Sequence, residues 1–252
     1  MSASAALLRP GIAVGEYPQK EDIRDGWLDR TAASITGALR QHLHGRSHRY
    51  MKFVNEVNRL SEGVDSLDEE GLRDRVTRLR QRLYSEGLGD ALVAESFGLI
   101  REFASRRLGM RHHDVQLFGG RVMLNGMVAE METGEGKTMT ATLPACTAAL
   151  AGIPVHIVTV NDFLVARDAS WMGPVYQALG LTVGTITEDM GPEQRRAAYA
   201  CDVTYCTNKQ LVFDYLKDRL LLGQESRRLH MQLEGLYKER PRTSRLLMRG
   251  LC

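Results

Sequence analysis

A chain of 252 residues, 43% hydrophobic and 25% charged, holds enough material for one large folded domain or two small ones. Its 33 basic side chains nearly balance 31 acidic ones, and a net charge of +2 argues against a surface built broadly for nucleic acid. Four scattered cysteines exclude a disulfide scaffold, and no run approaches the roughly 18 apolar residues of a membrane span, so the chain reads as cytosolic.

Residues 1–48 read as a loosely specified, partly disordered extension. Pro10, Gly11, Gly15 and Pro18 punctuate its start, and a short helix is expected over Trp27 to Leu43. His42, His44 and His48 fall at its end, where a solvated helix terminus explains them better than a metal does. From residue 49 to 108 the pattern turns helical. Met51, Val54, Val57 and Leu60 recur every third residue, and Ser66 to Glu69 reads as a capping box. Leu72, Val76, Leu79 and Leu83 then continue at helical spacing, and a third helix is expected from Ala91 to Leu108, before Gly109.

After Gly109 the rhythm becomes β–α. Asn125 to Met131 is a short apolar run, expected as a strand, that leads into a glycine-rich loop. Lys137 to Leu150 reads as helix, Pro154 to Val160 as a continuous buried strand, and Asp162 to Leu179 as helix. Leu181 to Ile186 and Asp202 to Tyr205 read as strands flanking a helix over Pro192 to Ala200. Short apolar strands alternating with helices imply a parallel sheet, the α/β class, across residues 109–219. Residues 220–252 read as a helical tail, basic in patches at Arg227, Arg228, Lys238, Arg240, Arg242, Arg245 and Arg249, and are expected to be a connector or solvated hairpin.

The loop "METGEGKT", Met131 to Thr138, ends like a phosphate-binding P-loop, although Met131 stands where the usual pattern has its first Gly. Gly134 and Gly136 let the backbone aim several N–H groups at one phosphate. Glu135 lies between them. Lys137 supplies a charge for the β- and γ-phosphates, and Thr138 carries a hydroxyl suited to Mg²⁺. The helix that opens at Lys137 adds the positive end of its dipole. Phosphoryl transfer also requires an acidic residue behind the metal, and no apolar strand ending in Asp follows Tyr205. As written, no complete catalytic set is present. Cys201 and Cys206 lack a second Cys or His pair to make a zinc site.

Four ordered blocks, "GMRHHDVQLFGG", "AEMETGEGKTMTATLPA", "VHIVTVNDFLVARDA" and "VTYCTNKQLVFDYLKD", resemble the first nucleotide-binding domain of the SecA family of preprotein-translocation motors. The resemblance covers about residues 50–220. It implies an incomplete DEAD-type, RecA-like parallel sheet with a P-loop, preceded by a helical N-terminal segment. It further implies that Gln116 hydrogen-bonds an adenine and that Gly134, Glu135, Gly136, Lys137 and Thr138 cradle the phosphates of ATP, with Mg²⁺ on Thr138.

Asp162, Arg167 and Asp168 resemble an element coupling the phosphate site to the sheet. Read without the family, Asp162 is equally a helix N-cap and Arg167 a surface ion-pair partner. Two positions depart from the family, Cys206 for a Gly and Gln210 for a Glu. The implied partners are the Sec membrane channel, preproteins, acidic phospholipids, an export chaperone and a second copy of the chain, at the cytoplasmic face of the bacterial inner membrane. Two other readings stay open: half of a nucleic-acid-dependent DEAD-type helicase, and a non-catalytic module docking to a channel or lipid. The family's members are several times longer, so the chain is expected to be truncated before the acidic strand that hydrolysis needs.

Overall fold

The computed structural model describes residues 45–232, and the side chains among them from Tyr50 to Leu220. The expected helix over Trp27 to Leu43, with His42 and His44, and the tail beyond Gln232 lie outside the described residues, whereas His48 falls within the first described helix.

Three helices come first: α1 (Gly45–Ser61), α2 (Glu69–Glu86) and α3 (Asp90–Leu108). On α1 the buried face is Tyr50, Phe53, Val54 and Val57, and Met51 is 51% exposed. The every-third-residue reading therefore drifts off the face, because a stripe on a 3.6-residue helix alternates steps of three and four. Leu72, Val76, Leu79 and Leu83 of α2 are buried as their spacing requires. The capping differs from expectation. Asp68 is the N-cap, accepting from the Gly71 N–H at 2.8 Å, while Ser66 turns back to donate to the Gly63 carbonyl. The chain enters the helix two residues later than a Ser66 cap would allow.

Helix α3 is buried over most of its middle, with Leu92, Phe97, Leu99, Ile100 and Phe103 at 4% exposure or less. It ends in a left-handed C-cap at Gly109. Arg106 near its end donates to the Leu67 and Asp65 carbonyls and to Glu102, pinning the α1–α2 connection.

Next come α4 (Asp114–Leu124), α5 (Lys137–Leu150), β1 (Val155–Thr159), α6 (Asp162–Ala178), β2 (Val183–Thr185), α7 (Pro192–Tyr199), β3 (Val203–Thr207) and α8 (Asn208–Gln232). The three strands are parallel in the order β1-β3-β2, with Val155 opposite Val203 on one side and Val183 opposite Val203 on the other. Strand β3 is central and buried throughout. Its alternating side chains feed two cores. Val203 and Tyr205 join the large cluster shared with α1 to α6, whereas Cys206 packs with Ile186, Ala198 and Tyr199 beneath α7 and α8.

Two strand expectations are corrected. Asn125 to Met131 forms no strand, because among the described residues nothing pairs with it; a strand exists only through its ladder. Val128 there is 93% exposed. The run 154–160 is a strand, but not a fully buried one. Among the described residues β1 pairs only with β3, so Val158 and Val160 are open to solvent. No helix among the described residues is long and apolar enough to cross a membrane.

Candidate nucleotide-binding site

The glycine loop closes between the irregular segment before it and the start of α5. Gly134 and Gly136 adopt φ of 94° and 82°, the left-handed region where a side chain is strained. At Gly136 the requirement is double, since a Cβ would come within 2.3 Å of the Gln116 Nε2. Gly136 is also the N-cap of α5, its carbonyl accepting from the Thr140 N–H at 2.9 Å and the Thr140 hydroxyl at 3.1 Å. Lys137 and Thr138 thus open the helix, where unpaired N–H groups and the dipole favour an anion. Residues Glu132 to Glu135 and Lys137 are exposed, while Gly136 and Thr138 are half-buried.

The loop satisfies its own polar groups. The Glu132 N–H donates to the Glu135 carboxylate at 2.8 Å, and the Lys137 ammonium donates to the Glu132 carbonyl at 2.6 Å. The Glu135 N–H leans on the same carbonyl at 3.4 Å.

Gln116 joins this loop from α4. It is 6% exposed; its Oε1 accepts from the His113 N–H at 3.0 Å and its Nε2 donates to the Glu135 carbonyl at 2.8 Å. One amide thereby caps the first turn of α4 and tethers the loop. Helix α4 went unread in the sequence because Gly119 and Gly120 look like breakers. Their role is close approach: a Cβ at Gly120 would lie 3.0 Å from the Leu143 Cβ, and one at Gly119 3.2 Å from the Thr140 Cγ2. The two glycines let α4 lie against α5 and bring Gln116 to the loop.

His112, just before α4, is fully buried. Its Nε2 reaches the Met139 carbonyl at 3.0 Å and the Thr142 hydroxyl at 3.1 Å. A carbonyl can only accept, so Nε2 carries the proton and Nδ1, buried without a hydrogen-bond partner, is the bare nitrogen. Burial holds its pKa down at about 4, and neighbouring Arg101 and His113 push the same way. A neutral imidazole thus clasps the first turns of the P-loop helix.

The structure bears out one half of the second motif's bare reading, Arg167 as a surface ion-pair partner, and corrects the other. Asn161, not Asp162, caps α6, accepting from the Leu164 N–H at 2.9 Å. Asp162 accepts from the Glu188 N–H across the sheet end, and Arg167 folds onto its sequence neighbour Asp168 at 2.7 Å. Among the described residues none of the three hydrogen-bonds to the glycine loop.

Sequence reasoning also missed Arg195, a 6%-exposed guanidinium beneath α8. It donates at 2.8 Å to both the Asp214 carboxylate and the Gln210 Oε1, and to the carbonyls of Met190, Thr187 and Glu188. Gln210 therefore has a structural place: a neutral acceptor beside an arginine already paired with a carboxylate. Tyr199 donates to the same Asp214 at 3.1 Å. Cys206, at the other departure from the family, fills the small core under α7, where burial raises its thiol pKa to about 11. Among the described residues no three His, Cys, Asp or Glu side chains are grouped to hold a metal ion.

Comparison with known proteins gives a consistent result. Residues 35–241 match the family described as SecA DEAD-like domain. The chain is 46% identical over 241 residues to "Protein translocase subunit SecA 2" of Nitrosospira multiformis, covering 95% of this chain and 36% of that protein. The corresponding protein of Bordetella avium is 47% identical, over 94% of this chain and 36% of its own length. "Protein translocase subunit SecA" of Synechococcus sp. (strain CC9902) is 52% identical over 179 residues, 68% of this chain and 19% of that protein. The chain spans about a third of the first two relatives.

Proposed function

The chain belongs to the SecA family, with its DEAD-like, RecA-type α/β domain incomplete, and from that premise we propose that it is the ATP-binding part of a protein-translocation motor. In this reading the amides of Gly134 to Lys137 bind the phosphates, the Lys137 ammonium exchanges the Glu132 carbonyl for phosphate oxygens, and Thr138 holds Mg²⁺ through its hydroxyl. Mg²⁺, when bound, neutralises phosphate charge. Gln116 reads the adenine by giving up one of its two present hydrogen bonds. Residues 49–108 buttress the P-loop helix, and 109–219 form the nucleotide-binding part.

The whole motor uses ATP to move preproteins through the Sec membrane channel at the cytoplasmic face of the inner membrane. Acidic phospholipids, an export chaperone and a second copy of the chain are its further partners. In this reading the chain alone binds ATP and hydrolyses it poorly, since among the described residues no strand after β3 brings an acidic residue behind the metal.

The observation that carries the reading is the glycine loop with two left-handed glycines, opening α5 beneath Gln116. Competition between ATP and GTP tests it. The native chain should prefer ATP, and Gln116→Ala should bring the two nucleotides together. Equal affinity for both in the native chain would remove Gln116 from the base site.

A further inference from the structure

The glycine loop is not an open cradle. The Lys137 ammonium and the Glu135 N–H, both expected to meet phosphate, already share the Glu132 carbonyl. An anion of the loop itself, the Glu135 carboxylate, is bonded to the N–H of the same Glu132. The Glu135 carboxylate takes the Glu132 N–H at 2.8 Å, and the Lys137 ammonium closes on the Glu132 carbonyl at 2.6 Å. A carboxylate accepting a backbone N–H is a charge-assisted bond, and an oxyanion is what such a loop binds. The loop is further held by Gln116 on the Glu135 carbonyl, so one residue is gripped at both its main chain and its side chain.

From this we infer that the Glu135 carboxylate is an internal stand-in for phosphate, holding the loop closed until a nucleotide displaces it. The inference rests on the ATP-site reading above and adds a regulation of that site. A polyphosphate entering the loop must free Lys137 from the Glu132 carbonyl, and in this inference it also displaces the Glu135 carboxylate from the adjoining Glu132 N–H. It must also approach a carboxylate of its own sign. Only loops in which Glu135 has swung away accept it, so the apparent affinity is the intrinsic affinity reduced by that open fraction.

Glu135 is exposed and lies outside the hydrophobic cores, so its replacement leaves the fold intact. Glu135→Gln keeps an oxygen for the Glu132 N–H and removes the charge, whereas Glu135→Ala removes both. These two variants separate repulsion from the latch.

The test is calorimetric titration of the 252-residue chain with ATP and with pyrophosphate, in the native form and in Glu135→Ala, Glu135→Gln and Lys137→Ala. Pyrophosphate has no base, so it isolates the loop. Glu135→Ala should bind both probes more tightly, by roughly three- to tenfold, and Glu135→Gln by a smaller factor. Binding lost in Lys137→Ala but unchanged or weaker in Glu135→Ala overturns the inference and leaves the ATP site standing. Binding unaffected by Lys137→Ala overturns the site itself. Absence of binding in both the native chain and Glu135→Ala overturns both.

Discussion

Gly136 and Gln116 are fitted to each other: a side chain at 136 would displace the Gln116 amide. Gly136→Ala would place a Cβ 2.3 Å from the Gln116 amide, on a backbone at φ 82° that costs an L-residue about 1–2 kcal/mol. The expected outcome is a comparable loss in urea-unfolding free energy, together with loss of nucleotide binding. His112 gives a second residue-scale prediction. Its folded pKa of about 4 lies below the ordinary 6.5, so from pH 6.5 down to 4 the unfolded chain takes up a proton that the folded one refuses. Stability from this group is complete above pH 6.5 and falls across that window, by at most about 3 kcal/mol. Chemical denaturation at pH 7 and pH 4.5 should show a smaller difference in His112→Gln than in the native chain. At this scale the sequence is informative about the glycines and Lys137, because left-handed turns and phosphate charge demand particular residue types. It is silent on the bond from Glu132 N–H to the Glu135 carboxylate, because two exposed glutamates three apart signal nothing by type.

Among the elements, legibility follows burial pattern. Helices α2, α3, α5 and α6 and the central strand β3 were readable, since packing repeats at the period of the element. Helix α4 was hidden by Gly119 and Gly120, whose reason lies in the neighbouring α5 and not in their own segment. The run before the loop is apolar enough for a strand and has nothing to pair with among the described residues. Arginine at 195 looks like any surface charge until α7, β3 and α8 enclose it. Its removal should be severe. Arg195→Met leaves the fully buried Asp214 without its main partner, and a loss of about 3–5 kcal/mol is expected by denaturant unfolding. Asp68→Ala, which removes only the N-cap of α2, should cost about 1 kcal/mol in the same measurement.

Across the whole molecule, one hydrophobic core runs from Phe53 on α1 through α3 and α5 to Tyr205 on β3. The helices ahead of the loop and the sheet behind it are held by the same packing, so the P-loop helix is fixed from both sides. The chain nonetheless spans about a third of the SecA 2 relatives it matches. Among the described residues no strand after β3 supplies an acidic residue, so binding and turnover should separate: the 252-residue chain should take up ATP while releasing phosphate at close to the uncatalysed rate. A phosphate-release assay showing robust turnover that Lys137→Ala abolishes would mean that the chain carries its own catalytic acid. The central claim is simpler than turnover and is tested by titrating MgATP into the native chain and into Lys137→Ala. One saturable site, weakened at least about tenfold by the substitution, is the result expected for a lysine that meets phosphate. Equal binding by both proteins would contradict the account, since no nucleotide seated in this loop could be indifferent to Lys137.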